Sequence, residues 1–235
     1  MTTIAANLQA VNARIAAACK AVGRTPRSVS LLAVSKTWPA VDVREAATCG
    51  QQAFGENYVQ EGVDKIAALV DIPQLEWHFI GPLQSNKTRV VAENFGWVHT
   101  IDRLKIAERL AAQRPDHMQP LQVCIQVNVS NEASKSGVAT ADALALAQAV
   151  AALPRLTLRG LMTVPEATED EARLRVQFRG LRELQDELKQ HGLPLDTLSM
   201  GMSHDLELAI AEGATIVRVG TAIFGERTYE GLSAT

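Results

Sequence analysis

The segment Leu31-Leu32-Ala33-Val34-Ser35-Lys36-Thr37 decides the expected fold, because four apolar residues lead directly to a serine and a lysine. A short apolar run between polar segments is typical of a strand that is buried on both faces, as in a parallel sheet. Lys36 then follows the carboxyl end of the strand, where α/β proteins bind ligands. A lysine held there partly out of water can lose its proton and attack a carbonyl to form a Schiff base. The alternative is a surface lysine that begins a loop.

The same pattern recurs along the chain. Further strands are predicted at 52–55, 75–81, 97–101, 121–129, 158–164, 197–201 and 215–221, each followed by a helical segment, and an amphipathic helix is predicted over 3–22. This alternation predicts an α/β fold, a single-domain (β/α)8 TIM barrel over residues 1–235 with an extra N-terminal helix. An open doubly wound sheet is the alternative, but no Gly-x-Gly-x-x-Gly fingerprint or Walker-type phosphate loop follows any strand.

Charge and hydropathy narrow the function class. The net charge of −3 argues against a nucleic-acid binder that relies on overall positive charge. Hydrophobic residues make up 47% of the chain, which is enough for a sizeable core. No apolar run approaches a membrane span, and Asn12 and Arg14 interrupt any secretory signal at the start. Cys19, Cys49 and Cys124 are far apart and are predicted to be buried free thiols. We therefore expect a cytoplasmic protein that contacts neither nucleic acid nor membrane, and one compact barrel suggests a monomer.

In a barrel, functional groups lie at the carboxyl ends of the strands and on the loops that follow. The candidates at these positions are Lys36, Asn57, His78, Asn128, Met162, Ser199, Ser203, Arg218, Gly220 and Thr221. They offer one amine nucleophile, several neutral hydrogen-bonding groups and one guanidinium. For His78 the alternative is a core histidine, and Lys135 could reach the mouth or be a solvated loop lysine. The histidines show no metal-ligand spacing with cysteines or carboxylates.

The last two predicted strands suggest a phosphate site. Residues 199–203 end a strand and open a helix, so backbone N–H groups and the Ser203 hydroxyl can face an anion. Gly220 and Thr221 end the final strand with a small residue that lets a ligand approach the backbone. Barrels of this kind often build phosphate sites after strands seven and eight. A phosphate there and an amine on the neighbouring first strand would fit a phosphorylated aldehyde bound as an imine, unless Ser203 is only an N-cap and Gly220 only a turn.

Arg218 lies two residues before Gly220, so both face the same side of the strand. An unpaired guanidinium inside a barrel is very unfavourable, so it needs an acidic partner or a ligand acceptor. If the ligand is pyridoxal phosphate, an arginine beside the ring nitrogen would keep that nitrogen unprotonated and weaken the ring as an electron sink. The alternative is a salt bridge to a strand-end acid such as Glu56.

Seven motifs, spread over nearly the whole chain, match one known family. They are Val34-Ser35-Lys36-Thr37, Phe54-Gly55-Glu56-Asn57-Tyr58, His78-Phe79-Ile80-Gly81-Pro82-Leu83-Gln84-Ser85-Asn86-Lys87, Ser134-Lys135-Ser136-Gly137, Gly160-Leu161-Met162, Leu198-Ser199-Met200-Gly201-Met202-Ser203 and Val217-Arg218-Val219-Gly220-Thr221-Ala222-Ile223-Phe224-Gly225. With these motifs the chain resembles the pyridoxal phosphate homeostasis protein family. One departure is visible, because His204 replaces the first member of an acidic pair that usually follows Ser203 in this family.

The resemblance implies a barrel similar to the N-terminal domain of alanine racemase and to other fold-type III pyridoxal phosphate proteins. Lys36 would form the Schiff base and Arg218 would face the pyridine nitrogen. The other implied cofactor-binding residues are Asn57 beside the ring and Ser203, Gly220 and Thr221, with Ser199, at the phosphate; His78 is kept as a further candidate. The family is regarded as cytosolic carriers that maintain free pyridoxal 5'-phosphate, with no established catalysis and with dependent apo-enzymes as possible recipients.

The alternative function is a pyridoxal phosphate-dependent amino-acid racemase. A racemase needs acid/base groups on opposite faces of the substrate carbon. Related racemases take the second group, a tyrosine, from an additional β domain of a partner subunit. Ten residues follow Gly225, which leaves no room for such a domain, and the only tyrosines are Tyr58 and Tyr229. We therefore expect a non-catalytic binder.

Overall fold

A closed barrel of eight parallel strands forms the centre of the computed structural model, which describes residues 3–130 and 135–226. The strands are β1 (Ser30–Val34), β2 (Ala53–Glu56), β3 (Glu76–Phe79), β4 (Trp97–Ile101), β5 (Leu121–Asn128), β6 (Val138–Ala139), β7 (Leu156–Met162), β8 (Thr197–Ser199) and β9 (Ile216–Val219). The order is β4-β3-β2-β1-β9-β8-β7-β5, and β5 pairs with β4 to close the ring. β6 pairs only with β5 and stands outside the barrel.

Helices alternate with the barrel strands, as predicted. They are α1 (Ile4–Ala21), α2 (Ala40–Thr48), α3 (Val59–Ala68), α4 (Thr88–Asn94), α5 (Leu104–Gln113), α6 (Ala143–Ala151), α7 (Glu171–Gln190), α8 (Leu206–Ala211) and α9 (Thr221–Phe224). The (β/α)8 architecture is therefore confirmed, and the open doubly wound alternative is wrong because β1 and β9 pair with each other.

The extra N-terminal helix is also confirmed. The Thr3 hydroxyl caps α1 by accepting a hydrogen bond from the Ala6 N–H at 3.2 Å. Its apolar residues recur every three or four positions and are buried, and α1 packs against α8 and α9. Gly23 follows with φ 69°, a conformation that ends the helix and that only glycine adopts without strain. The helix therefore covers the outside of the closing strands.

The two faces of the barrel strands carry different kinds of buried side chain. Large apolar side chains such as Phe54, Phe79 and Leu161 are fully buried in the main hydrophobic core. The barrel interior instead contains a small separate cluster of Trp97, Cys124 and Met162, together with buried polar residues. These polar residues are His78, His99, Ser199 and Arg218. Most barrels fill this space with branched apolar side chains, so the polar interior is a departure that needs an explanation.

Several local predictions were wrong. Ser203 does not cap α8, because the N-cap is Asp205, whose carboxylate accepts a hydrogen bond from the Met202 N–H at 2.5 Å. The strand β6 was not predicted. Cys19 and Cys124 are buried free thiols as expected, but Cys49 is exposed. Within the described residues, no helix is long and apolar enough to cross a membrane.

The contact between β7 and β8 provides a stringent test of the barrel. Gly160 pairs with Thr197, and a Cβ added at Gly160 would lie 1.8 Å from the Thr197 carbonyl oxygen. Gly160→Ala must therefore separate two central strands, and we expect it to lower the free energy of unfolding by more than about 2 kcal/mol. Urea unfolding followed by circular dichroism measures this change.

The matched control is Gly180→Ala. Gly180 is exposed within α7, and an added Cβ would meet no atom within 4 Å. Alanine is the better helix former, so we expect a gain of about 0.5–1 kcal/mol. Equal effects of the two substitutions would show that β7 and β8 do not approach as described.

Candidate functional site

The structure brings most of the predicted site residues to the carboxyl end of the barrel. Lys36 lies two residues after β1, Asn57 directly follows β2, Ser203 lies between β8 and α8, Gly220 follows β9 and Thr221 opens α9. A Cβ added at Gly220 would lie 3.1 Å from the Val34 carbonyl oxygen. The lysine-bearing end of the first strand is therefore directly beside the end of the last strand.

A buried cluster of charged side chains holds the backbone on both sides of Lys36. The Lys65 ammonium donates to the Ser35 carbonyl at 2.6 Å, to Glu56 at 2.7 Å and to Glu61 at 2.6 Å. The Thr37 N–H donates to the same Glu61 carboxylate at 2.5 Å. Cations and anions of α3 and β2 thus fix the segment that carries the candidate nucleophile.

Thr37 itself has an unusual backbone conformation, with φ 70°. A β-branched residue in the left-handed region is a genuine outlier whose strain is of the order of 1–3 kcal/mol. The hydrogen bond to Glu61 is one contact that holds it there. Such strain is often found at functional sites, and here it occurs at the residue after Lys36.

Glu56 belongs to this cluster and does not pair with Arg218. Its side chain is fully buried and accepts hydrogen bonds from Lys65 and from the Ser35 hydroxyl, the latter at 2.6 Å. Burial raises the pKa of the Glu56 carboxyl, while the charge of Lys65 and its hydrogen bond oppose that rise. The alternative salt bridge between Arg218 and Glu56 is therefore wrong.

Arg218 is buried and its guanidinium is held by neutral acceptors. Nη1 donates to the Ser199 carbonyl at 2.6 Å and to the Ser199 hydroxyl at 2.9 Å, and Nη2 donates to the Thr163 carbonyl at 2.8 Å. Over residues 3–130 and 135–226 it makes no ion pair, although the nearby Asp205 favours its charged form. Burial lowers the Arg218 pKa to about 10. The site therefore contains an oriented cation whose charge no bound carboxylate neutralises.

Asn57 has an unsatisfied acceptor. Its Oδ1 is buried and has no hydrogen-bond partner among the residues that the structure describes. Its backbone is held closely, because a Cβ added at Gly81 would lie 2.1 Å from the Asn57 carbonyl oxygen. Buried polar atoms without a partner are rare in native proteins, so this oxygen is a position where a ligand donor or water would bind.

The hydroxyl of Ser199 faces the barrel interior. It contacts the Arg218 guanidinium at 2.9 Å and lies 2.8 Å from His99 Nδ1. The predicted role of Ser199 at a phosphate would require its hydroxyl to give up one of these bonds. His99 was not among the predicted site residues, because its partner is on a strand one hundred residues away in sequence.

His78 is not brought together with the other candidates at the carboxyl end. His78 pairs with Gly55, and Gly55 pairs with Val34. His78 therefore lies at the height of Val34 along the barrel axis, nearer the amino-terminal end than Lys36. Its ring stacks on Trp97 with centroids 5.1 Å apart and lies 2.9 Å from His99. Together with Trp97 it lines a cavity of about 400 Å³ at the opposite, amino-terminal end of the strands.

The loops after β7 and β8 border a larger cavity of about 1030 Å³. His204, which replaces the first acid of the expected pair, is exposed and lines it. The remaining acid, Asp205, accepts a hydrogen bond from the Met202 N–H in the loop before α8, so this contact does not depend on the replaced residue. Lys135 is half-buried in the loop before β6, and Ser134 of the predicted Ser134-Lys135-Ser136-Gly137 motif lies outside the described residues. Histidine, cysteine and carboxylate side chains form no metal-binding group within the described ranges.

Comparison with known proteins gives consistent results. The sequence profile of the family described as "Alanine racemase, N-terminal domain" matches residues 6–228. The chain is 61% identical to a "Pyridoxal phosphate homeostasis protein" of Pseudomonas aeruginosa, over 97% of this chain and 98% of the relative. It is also similar to the structure of PipY from Synechococcus elongatus with PLP bound, with TM-score 0.84, 40% identity and coverage of 95% and 100% of the two chains.

Alanine racemases share the fold at much lower sequence identity. The enzyme from Corynebacterium glutamicum superposes with TM-score 0.69 at 19% identity, and this chain covers 64% of its length. This likeness concerns the barrel architecture alone.

The buried charge cluster behind Lys36 yields a prediction about stability. Lys65→Met removes the ammonium that compensates Glu56, and we expect a loss of about 3–5 kcal/mol in the free energy of unfolding. Adding Glu56→Gln removes the stranded charge, so the double variant should regain part of that loss. Urea unfolding measures both, with Arg44→Met, which breaks an exposed ion pair to Asp71, as the control expected to change little. If Lys65→Met were as stable as wild type, the buried cluster would not exist as described.

Proposed function

The chain belongs to the pyridoxal phosphate homeostasis proteins, within the alanine racemase N-terminal domain family, and from this premise we propose that it binds pyridoxal 5'-phosphate as a Schiff base on Lys36. The proposed role is to hold and release the cofactor in the cytoplasm, as a monomer that supplies dependent apo-enzymes. The observation that carries the proposal is the buried Arg218 guanidinium, held by carbonyl and hydroxyl oxygens with no carboxylate bound to it.

This cation matches the chemistry of the cofactor. A pyridine nitrogen beside a guanidinium stays unprotonated, because protonation would place two positive charges together. The ring is then a weak electron sink, which suits a carrier better than an enzyme that must stabilise carbanions. Bound pyridoxal phosphate supplies the aldehyde for the covalent link and the phosphate for anchoring.

Lys36 would supply the covalent link. Its neutral amine would condense with the aldehyde of the bound cofactor, giving a carbon–nitrogen double bond and one water that carries the aldehyde oxygen and the two amine hydrogens. The cluster of Lys65, Glu56 and Glu61 keeps the backbone of this lysine in one position, which reduces the entropy lost on binding. The unsatisfied Asn57 oxygen nearby would accept a hydrogen bond from the bound molecule or from water.

The phosphate would be held by Ser203, Gly220 and Thr221. A close approach requires a residue without a side chain, and Gly220 already lies against Val34 of the first strand. The amine and the phosphate positions are thus on neighbouring strands, which suits one small molecule bound at both ends. We leave Ser199 and His78 outside direct cofactor contact in this proposal, because their side chains are engaged with each other through His99.

A non-catalytic role is proposed from the acid/base groups near the site. A racemase needs a second group that faces Lys36 across the substrate carbon. Tyr58 is exposed at the start of α3, and Tyr229 lies outside the described residues. The buried histidines are committed to hydrogen bonds within the barrel, so they do not supply the second group.

The link to Lys36 can be tested directly by absorbance. Lys36→Ala should lose the yellow Schiff-base band of the purified protein and the cofactor adduct fixed by borohydride, while weaker binding through the phosphate persists. Spectra before and after reduction, followed by mass spectrometry of the digest, measure both. Lys189→Ala, which changes an exposed lysine at the end of α7, is the control and should keep the band. An adduct on a peptide without Lys36 would contradict the proposal.

The carrier and racemase functions differ in their effect on alanine. We expect L-alanine and D-alanine to keep their optical activity during prolonged incubation with cofactor-loaded protein, since no second acid/base group has been identified opposite Lys36 among the residues that the structure describes. Polarimetry measures this, with an alanine racemase as the positive control. Turnover that requires Lys36 would overturn the non-catalytic role and leave the cofactor site standing.

A further inference from the structure

A continuous series of side-chain hydrogen bonds crosses the barrel interior from Arg218 to the amino-terminal end of the strands. Arg218 Nη1 lies 2.9 Å from the Ser199 hydroxyl, which lies 2.8 Å from His99 Nδ1. His99 Nε2 lies 2.9 Å from His78 Nδ1, and His78 Nε2 lies 3.3 Å from Glu76 Oε2. The four inner side chains are buried, and they come from strands β3, β4, β8 and β9.

The chemistry of the end groups fixes the direction of these bonds. A guanidinium can only donate, so the Ser199 oxygen accepts from Arg218 and its single proton goes to His99 Nδ1. His99 then carries its own proton on Nε2 and donates to His78 Nδ1. His78 in turn carries its proton on Nε2, facing the Glu76 carboxylate. Both histidine tautomers are therefore determined, and a cation is linked to an anion by a series of bonds that all point the same way.

Burial supports this assignment. It lowers the pKa of His78 and, more strongly, that of His99, where the nearby His78 and Arg218 act in the same direction. Both rings are therefore neutral near pH 7, as the bond directions require. The hydrogen bond from His78 lowers the pKa of Glu76, so the far end of the series is ionised.

The far end opens to the side of the barrel away from Lys36. Glu76 is the first residue of β3, and its Oε1 also accepts from the Trp97 indole at 3.2 Å. It lines the cavity of about 400 Å³, together with residues at the starts of β1, β2 and β4. The series thus connects the guanidinium at the proposed cofactor to a carboxylate that is in contact with water at the opposite end.

We propose that Glu76, His78 and His99 are positioning residues for Arg218, which fix its guanidinium toward the pyridine nitrogen and supply part of its counter-charge through Ser199. This inference rests on the proposed function and deepens it. It explains why the barrel interior is polar, since each of these groups needs the next one as a partner. It also explains how the cation stays buried while no carboxylate occupies the place where the ring nitrogen would bind.

Other titratable groups around the series do not replace Glu76. Cys124 on β5 is neutral, because burial raises the pKa of its thiol to about 12. Arg159 on β7 lies over the Trp97 ring at 5.0 Å and pairs with Asp196 at 2.6 Å. Asp205, after β8, also favours the charged form of Arg218 and shares the role of counter-charge, but it accepts its hydrogen bond from the Met202 N–H and not from a member of the series. Lys36, after β1, is a cation on the cofactor side.

The test is the pH at which the Schiff-base absorbance of the cofactor-loaded protein changes. Without the carboxylate, more of the positive charge of Arg218 acts on the bound ring, so the Schiff-base proton is lost more readily. Glu76→Gln and His99→Leu should each move the midpoint to lower pH, by on the order of 0.5 unit. His99→Gln, whose amide can accept from Ser199 and donate to His78, should restore most of the shift. His191→Gln, at an exposed histidine after α7, should leave the midpoint unchanged.

Cofactor-free protein gives an independent measure. Because the folded-state pKa of His99 lies below its unfolded value, the contribution of the neutral ring to stability is complete above about pH 6.5 and is lost as the pH falls toward the folded pKa. Wild type should therefore lose stability in urea between pH 7.5 and pH 5.5, and His99→Leu should lose less.

The outcomes separate the two proposals. A wild-type protein without a Schiff-base band would remove the proposed function. With the wild-type band present, an unshifted midpoint in Glu76→Gln overturns the inference, because the proposed counter-charge would then have no effect on the bound cofactor. An unshifted midpoint in His99→Leu also overturns it, since that substitution breaks the series between Ser199 and His78. If His99→Leu does not fold, Glu76→Gln alone decides.

Discussion

The structure depends on a guanidinium that is buried inside a parallel barrel. Removing a charged side chain from water is unfavourable by several kcal/mol unless its hydrogen bonds are replaced. Arg218 finds replacements in the Ser199 carbonyl and hydroxyl and in the Thr163 carbonyl, at 2.6–2.9 Å. The hydroxyl then needs an acceptor, which is His99, and that ring needs His78. One buried cation therefore determines the chemistry of much of the barrel interior, which in most barrels is filled by branched apolar residues.

Two buried cations in the same fold are compensated in opposite ways. Lys65 binds two carboxylates directly, at 2.6 and 2.7 Å, and serves to hold the backbone around Lys36. Arg218 binds no carboxylate within the described residues, although the nearby Asp205 favours its charged form, and we propose that Glu76 supplies further counter-charge through the hydrogen-bonded series. Lys65 is therefore saturated by its carboxylates, whereas Arg218 is held by neutral oxygens and keeps its electrostatic field available to a ligand.

The sequence was sufficient for the architecture and for the ends of the strands, because both depend on local patterns. Short strand-like segments of four to nine residues, separated by helical periodicity, predicted all eight barrel strands, including β4 at its observed bounds, Trp97–Ile101. The partners of buried polar groups could not be predicted in this way. Whether Arg218 meets Glu56 or Ser199 depends on which strands face each other across the barrel and at what height. The backbone conformation of Thr37 could not be predicted either, since its φ of 70° is imposed by the rest of the fold and no local turn motif signals it.

The position of the candidate site also follows from closure of the barrel. Lys36 and Gly220 are 184 residues apart in the sequence, yet Val34 and Gly220 are in contact because β1 pairs with β9. In an open doubly wound sheet the first strand would have no such neighbour, and the lysine and the proposed phosphate-binding residues would be separate features. A ligand that binds both strands at once bridges the seam where the ring closes. Binding therefore adds a connection between the first and last strands, and by mass action such a ligand stabilises the closed barrel against unfolding.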